Sequence, residues 1–107
     1  MYNKNQLDQK IQLIINNFRA NKFENVILQS KKLLRLYPNH EYLLNMIGLC
    51  YQNLNQVDEA TKIFIKILQL NPSNYVAKNN YARLLKSNNQ IVKAKEILED
   101  VIKKIPN

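Results

Sequence analysis

Chemistry needs reactive side chains that converge, and this 107-residue chain has few candidates. Its one His, His40, follows Pro38-Asn39. A His in acid–base or nucleophilic work needs a paired group, and none is evident beside it. His40 therefore reads as a helix cap or exposed turn residue. The one Cys, Cys50, stands next to Tyr51 in an apolar helical pattern and reads as a partly buried, inert thiol. One Cys and one His cannot build a zinc site from those residue types, and one Cys cannot close an internal disulfide. No metal and no cofactor are expected. The single Gly, Gly48, rules out phosphate-cradling loops, which need several glycines where backbone meets phosphate. The carboxylates Asp58, Glu59, Glu96, Glu99 and Asp100 lie near lysines. Asp58 with Lys62, Glu99 with Lys103 and Asp100 with Lys104 have i,i+4 spacing, which favours surface pairs over an acid–base couple. Nothing here predicts an enzyme.

The elements that carry these residues follow from composition and period. The chain is 46% hydrophobic, enough for one small domain but not for two independent cores. So few turn glycines argue against an all-β fold. The polar start, Met1 to Gln6, has no apolar h-region, and no apolar run approaches the ~20 residues needed to cross a bilayer. A cytoplasmic chain is expected, with its thiol reduced. Asn accounts for 17 residues, interleaved with apolar positions rather than gathered in a tract.

Pro38, Pro72 and Pro106 are 34 residues apart. Asn21, Asn55 and Asn89 keep the same spacing. So do Leu13, Ile47 and Tyr81; Leu33, Ile67 and Val101; and the small-to-medium set Val26, Ala60 and Ala94. Fixed periods of this length mark repeat architectures. Each period reads as two helices. The spacing predicts helices over 5–18, 24–36, 41–53, 58–70, 75–87 and 92–104. In the second period Asn55, which tolerates the left-handed conformation, closes the first helix of the pair. Asn71-Pro72-Ser73-Asn74 stops one pair and caps the next.

A 34-residue helical pair closing on Pro resembles the tetratricopeptide repeat. Repeats over 7–40, 41–74 and 75–107 would follow a lead-in of residues 1–6, making residues 1–107 one domain. The second repeat matches closely, with Leu44, Ile47, Gly48, Tyr51, Ala60, Phe64, Ile67 and Pro72. The third matches with Tyr81, Ala82, Leu85, Ala94, Leu98, Val101 and Pro106, but has Lys78 in a large apolar place. The first departs further: Lys10 takes that same place, Ile14 the small one, Asn17 the first aromatic and Ser30 the second. The resemblance implies an all-α, right-handed α-solenoid of six antiparallel helices. It also implies that Gly48 and Ala60, like Ala82 and Ala94, sit where the paired helices cross.

In such a superhelix the first helix of each pair lines a concave groove. By resemblance the groove holds Asp8, Ile11, Ile15 and Phe18, then Tyr42, Asn45, Leu49 and Gln52. Val76, Asn79, Asn80, Arg83 and Lys86 follow. An apolar floor running to a basic end suits a peptide with an apolar anchor and an acidic or carboxylate end. The two-carboxylate clamp of chaperone-binding members maps onto Ile11, Ile15, Met46, Val76 and Asn80, so it is absent. The asparagine ladder of another branch maps onto Gln12, Met46 and Asn80, leaving one rung, though Asn45 and Asn79 could bond an extended backbone.

The chain carries +8, divided as +5 over residues 1–40, −1 over 41–74 and +4 over 75–107. Most of the lysines fall on the second helices. With little aromatic interleaving and three Arg, they imply a solvated face rather than a base-reading site. The expected function is non-enzymatic capture of a protein or peptide segment by a scaffold or adaptor. One alternative is the N-terminal module of a longer enzyme, of sugar or sulfate transferase type. It rests on the chain stopping at Ile105-Pro106-Asn107 with no polar helix to cap the last pair. That uncapped helix, with Ile97, Val101, Ile102 and Ile105, could also drive an end-to-end homodimer. RNA or anionic-surface binding through the basic convex side is the weakest alternative.

Overall fold

The computed structural model describes residues 1–89 together with Lys95, Glu96 and Glu99. Among these residues the chain forms five helices: α1 (Lys4–Arg19), α2 (Phe23–Leu34), α3 (Glu41–Asn53), α4 (Val57–Leu70) and α5 (Tyr75–Ser87). No strand occurs among them. Of the sixth helix expected over 92–104, only Lys95, Glu96 and Glu99 are described, and they are helical; Ala94 and the apolar set Ile97, Val101, Ile102 and Ile105 lie outside the described residues.

The turns within each pair depend on asparagine. Asn21, Asn55 and Asn89 have φ of 61°, 63° and 54°. That is the left-handed region, which Gly enters freely and L-residues other than Asn and Asp rarely visit. Around Asn55 the amide of Gln56 donates to Tyr51 O at 2.8 Å, and that of Asn55 donates to Gln52 O at 3.0 Å. Lys22 repeats the long bond to Asn17 O at 2.9 Å. These bonds satisfy carbonyls at the helix end, as a Schellman turn does. α2 and α4 then start without a side-chain cap, at Lys22 and Gln56.

The turns between pairs use side-chain caps. His40 Nδ1 accepts from the Leu43 amide at 3.3 Å, and Asn74 Oδ1 accepts from the Ala77 amide at 2.9 Å. His40 is thus the cap of α3. α1 opens on a capping box in which Asn3 Oδ1 accepts from the Gln6 amide at 2.8 Å and the Asn3 amide donates to Gln6 Oε1 at 3.0 Å. α2 ends at Leu34, two residues before the expected boundary. Tyr37 precedes Pro38, which disfavours helical backbone there, and the amides of Leu36 and Tyr37 both turn back to Leu33 O.

α3 is the central helix. Eight of its residues are buried, because it packs against α2, α4 and α5. Leu43, Met46 and Cys50 face one cluster, with Ile14, Val26 and Leu33. Leu44, Ile47 and Tyr51 face the other, with Ala60, Phe64, Ile67, Leu68, Ala77, Tyr81, Leu84 and Leu85. Burial pushes the Cys50 thiol up to about 12 and raises the Tyr81 phenol as well. The thiol is fully buried, more so than the sequence pattern suggested.

Gly48 makes the closest approach in this core. A Cβ placed there would meet Phe64 Cε1 at 2.7 Å and Cζ at 2.8 Å. The tight partner of Gly48 is therefore the Phe64 ring, while Ala60, expected to share the crossing, is buried in the same cluster. The first pair inverts the sizes. Ile14 occupies the Gly48 column and Ser30 the Phe64 column, and both are buried. The large side chain has moved to the first helix and the small one to the second, which keeps the filled volume similar. Ala82, in the same column of α5, is exposed among the described residues. The expected Asp58–Lys62 pair is replaced by Lys62 with Glu59 at 3.5 Å. The i+3 partner is as reachable as the i+4 one, and both side chains are solvated, so the choice matters little for stability.

Candidate peptide groove

The first helices of the pairs leave an apolar groove of about 540 Å³. α1 contributes Ile15, Phe18 and Arg19 from successive turns of one face. α3 contributes Glu41, Tyr42, Asn45, Met46 and Leu49. Four of these, Tyr42, Asn45, Met46 and Leu49, have i, i+3, i+4, i+7 spacing, which stacks them along one stripe of the helix. Asn74 and Val76, at the start of α5, close the far wall.

Two polar arrangements fix the geometry. Asn80 Nδ2 donates to Asn45 Oδ1 at 3.1 Å, and both residues are only 8% exposed. Each amide can make further bonds, so the Asn45 NH2 and the Asn80 carbonyl remain as a donor and an acceptor. At the start of α3, Glu41 Oε1 accepts from Asn71 Nδ2 and from Asn74 Nδ2, each at 2.8 Å. These charge-assisted bonds tie the second helical pair to the turn that opens α5. They also hold a carboxylate at the groove wall.

Of the residues expected in the groove, Ile15, Phe18, Tyr42, Asn45, Leu49 and Val76 line it. Ile11 does not; it packs half-buried against the cluster around Ile14. Asn80 is not among the lining residues and is bonded to Asn45. Asp8, Asn79, Arg83 and Lys86 are exposed and Gln52 is half-buried, all away from the groove lining. Arg19, Glu41, Met46 and Asn74 line it and were not anticipated. Arg19 and Met46 had a usable signal, since Arg19 follows Ile15 by four and Met46 precedes Leu49 by three. Glu41 and Asn74 had none, because tertiary bonds across 33 residues bring them together.

Among the described residues no group of His, Cys, Asp or Glu is arranged to hold a metal. No described helix is long and apolar enough to cross a membrane.

Comparison with known proteins agrees with the repeat reading. The tetratricopeptide repeat family model matches residues 55–107, which supports that family for this chain. Similar curated proteins include the aspartyl/asparaginyl beta-hydroxylases of Homo sapiens and Mus musculus, each 30% identical over 76 residues. The match covers 71% of this chain but 10% of each hydroxylase, so the chain spans only a small part of these relatives.

Proposed function

We propose that this chain is a non-enzymatic binding module, a scaffold or adaptor whose three helical pairs form one superhelical domain that holds a protein segment in extended form. The observation that carries this reading is the groove, an apolar floor with few placed polar groups, as binding sites usually have. Ile15, Phe18, Met46 and Leu49 receive an apolar anchor. The Asn45–Asn80 pair offers its free amide groups to the ligand backbone. Arg83 and Lys86, exposed on α5 outside the groove lining, would meet an acidic end only of a segment that runs on beyond the groove. The tetratricopeptide match supports a protein-interaction role.

The experiment is selection of short peptides from a displayed random library on the purified chain, repeated with Leu49→Asp and Phe18→Asp. Both positions are only partly buried, so the helical circular dichroism signal should persist. Selection should yield peptides with one large apolar residue, and both variants should lose them. Retention of those peptides by both variants would sink the groove reading.

A second reading is favoured by one finding, the likeness to beta-hydroxylases. Here the repeats serve as the substrate-presenting module of a longer enzyme. The names of these relatives point to a hydroxylase rather than the sugar or sulfate transferase expected from sequence. Fusing the chain to a hydroxylase catalytic domain that lacks its own repeats would test it, with failure to restore turnover as the contrary result.

A further inference from the structure

A second cleft, of about 200 Å³, opens between α1 and α2 away from the groove. Lys10 and Leu13 line it from α1, Gln29 and Lys32 from α2, with Leu36 and Tyr2 at its ends. Leu13 is 61% exposed. Its counterparts in the 34-residue register, Ile47 and Tyr81, are 1% and 0% exposed. Those two positions face the second helix of the preceding pair. Tyr81 meets Phe64 of α4 at 6.3 Å between ring centroids. The cluster that holds Ile47 is covered by Ile27 and Leu34 of α2, and Lys31 of α2 lies 5.6 Å above the Tyr51 ring. What fills this place at Ile47 is therefore a helix presenting apolar residues, Ile27 and Leu34, at i and i+7.

The cleft differs in charge from its counterpart in the second pair. Leu44 is replaced by Lys10, as it is by Lys78 in the third pair, and Ile63 by Gln29, while Lys32 retains the charge of Lys66. No acidic residue lines the cleft, and Lys10 Nζ sits 4.6 Å from the Tyr2 ring at its mouth. A basic rim around an apolar floor attracts carboxylates and repels lysines. A second copy of this chain would bring its other basic end, +4 over residues 75–107, against the +5 of residues 1–40.

We propose that the α1–α2 cleft is a docking surface for an amphipathic helix of a partner protein, one with aliphatic residues at i and i+7 and acidic residues beside them. This surface is independent of the peptide groove.

The probe is a stapled helix of about 16 residues, or about four turns, with Ile and Leu at i and i+7 and Glu at the flanking positions. A matched helix has Lys in place of Glu. Titrated into the isotope-labelled chain, the Glu helix should shift the resonances of Leu13, Lys32 and Leu36. Leu13→Glu should weaken it roughly tenfold or more, and added salt should weaken it further. The paired change Lys10→Glu and Lys32→Glu should transfer the preference to the Lys helix. Both variants alter exposed residues, and their circular dichroism should match the parent chain. Any of four results would overturn the proposal: no binding by the Glu helix, equal binding by the Lys helix, shifts centred on Phe18 and Leu49, or self-association in sedimentation that Leu13→Glu abolishes. The last would make a second copy the occupant.

Discussion

Gly48→Ala adds one methyl group at the most crowded point of the core. The new Cβ would lie 2.7 Å from Phe64 Cε1, well inside van der Waals contact. The ring cannot swing aside, because it is fully buried and lies against Tyr81. Overpacking of this kind costs about 1–3 kcal/mol. Ala is also the better helix former, which returns about 0.8–1.0 kcal/mol. The net expectation is a loss of roughly 1 kcal/mol, or about 4–8 °C in Tm for a domain of this size. The two contributions separate in a double-mutant cycle with Phe64→Leu. With the ring gone the crowding disappears and the propensity gain stays. Gly48→Ala should then destabilise the parent chain and stabilise the Phe64→Leu chain, as read by urea unfolding with far-UV circular dichroism. If Gly48→Ala stabilises both backgrounds equally, the Gly48–Phe64 contact does not constrain the fold.

Other expectations concern the turns, the inverted pair and the thiol. Asn55→Ala should cost about 1 kcal/mol, because Ala keeps the Cβ at a φ of 63° but lacks the short polar side chain that offsets the left-handed backbone, whereas Asn55→Gly should leave Tm near the parent value. Ser30→Ala should raise Tm slightly, since the Ser30 hydroxyl is buried with no partner among the described residues. Cys50 should resist thiol reagents until the chain unfolds. Its pKa is raised to about 12 from 9.0, so the unfolded chain loses the proton first. The stability contributed by the neutral thiol is therefore complete below about pH 9 and lost as pH rises toward 12, which urea midpoints across that range should show.

The sequence pattern reached the elements because repetition supplies its own alignment. One Asn with a left-handed φ would be ambiguous, but Asn21, Asn55 and Asn89 in one register point to the same turn three times over. The departures of the first pair were visible as oddities, Ile14 where a small residue belongs and Ser30 where a ring belongs. Only burial shows that the two exchange volume. The groove was half legible. Ile15, Phe18, Tyr42 and Leu49 follow from the family resemblance, which assigns one face of each first helix to the groove, one helix at a time. The Asn45–Asn80 bond and the Glu41 staple depend on how two helices cross, and a one-residue change in that register moves every partner. Leu13 gave no signal as a surface residue, because its column is buried wherever another helix precedes it.

The central claim is that the face of α1, α3 and α5 around Phe18 and Leu49 binds a protein segment. Its most direct test is methyl NMR of the chain with a peptide from the library selection. The account predicts shifts concentrated at Ile15, Met46, Leu49 and Val76, with Leu13 and Leu28 unmoved. Shifts spread over the second helices α2 and α4, with these four methyl groups silent, would contradict it.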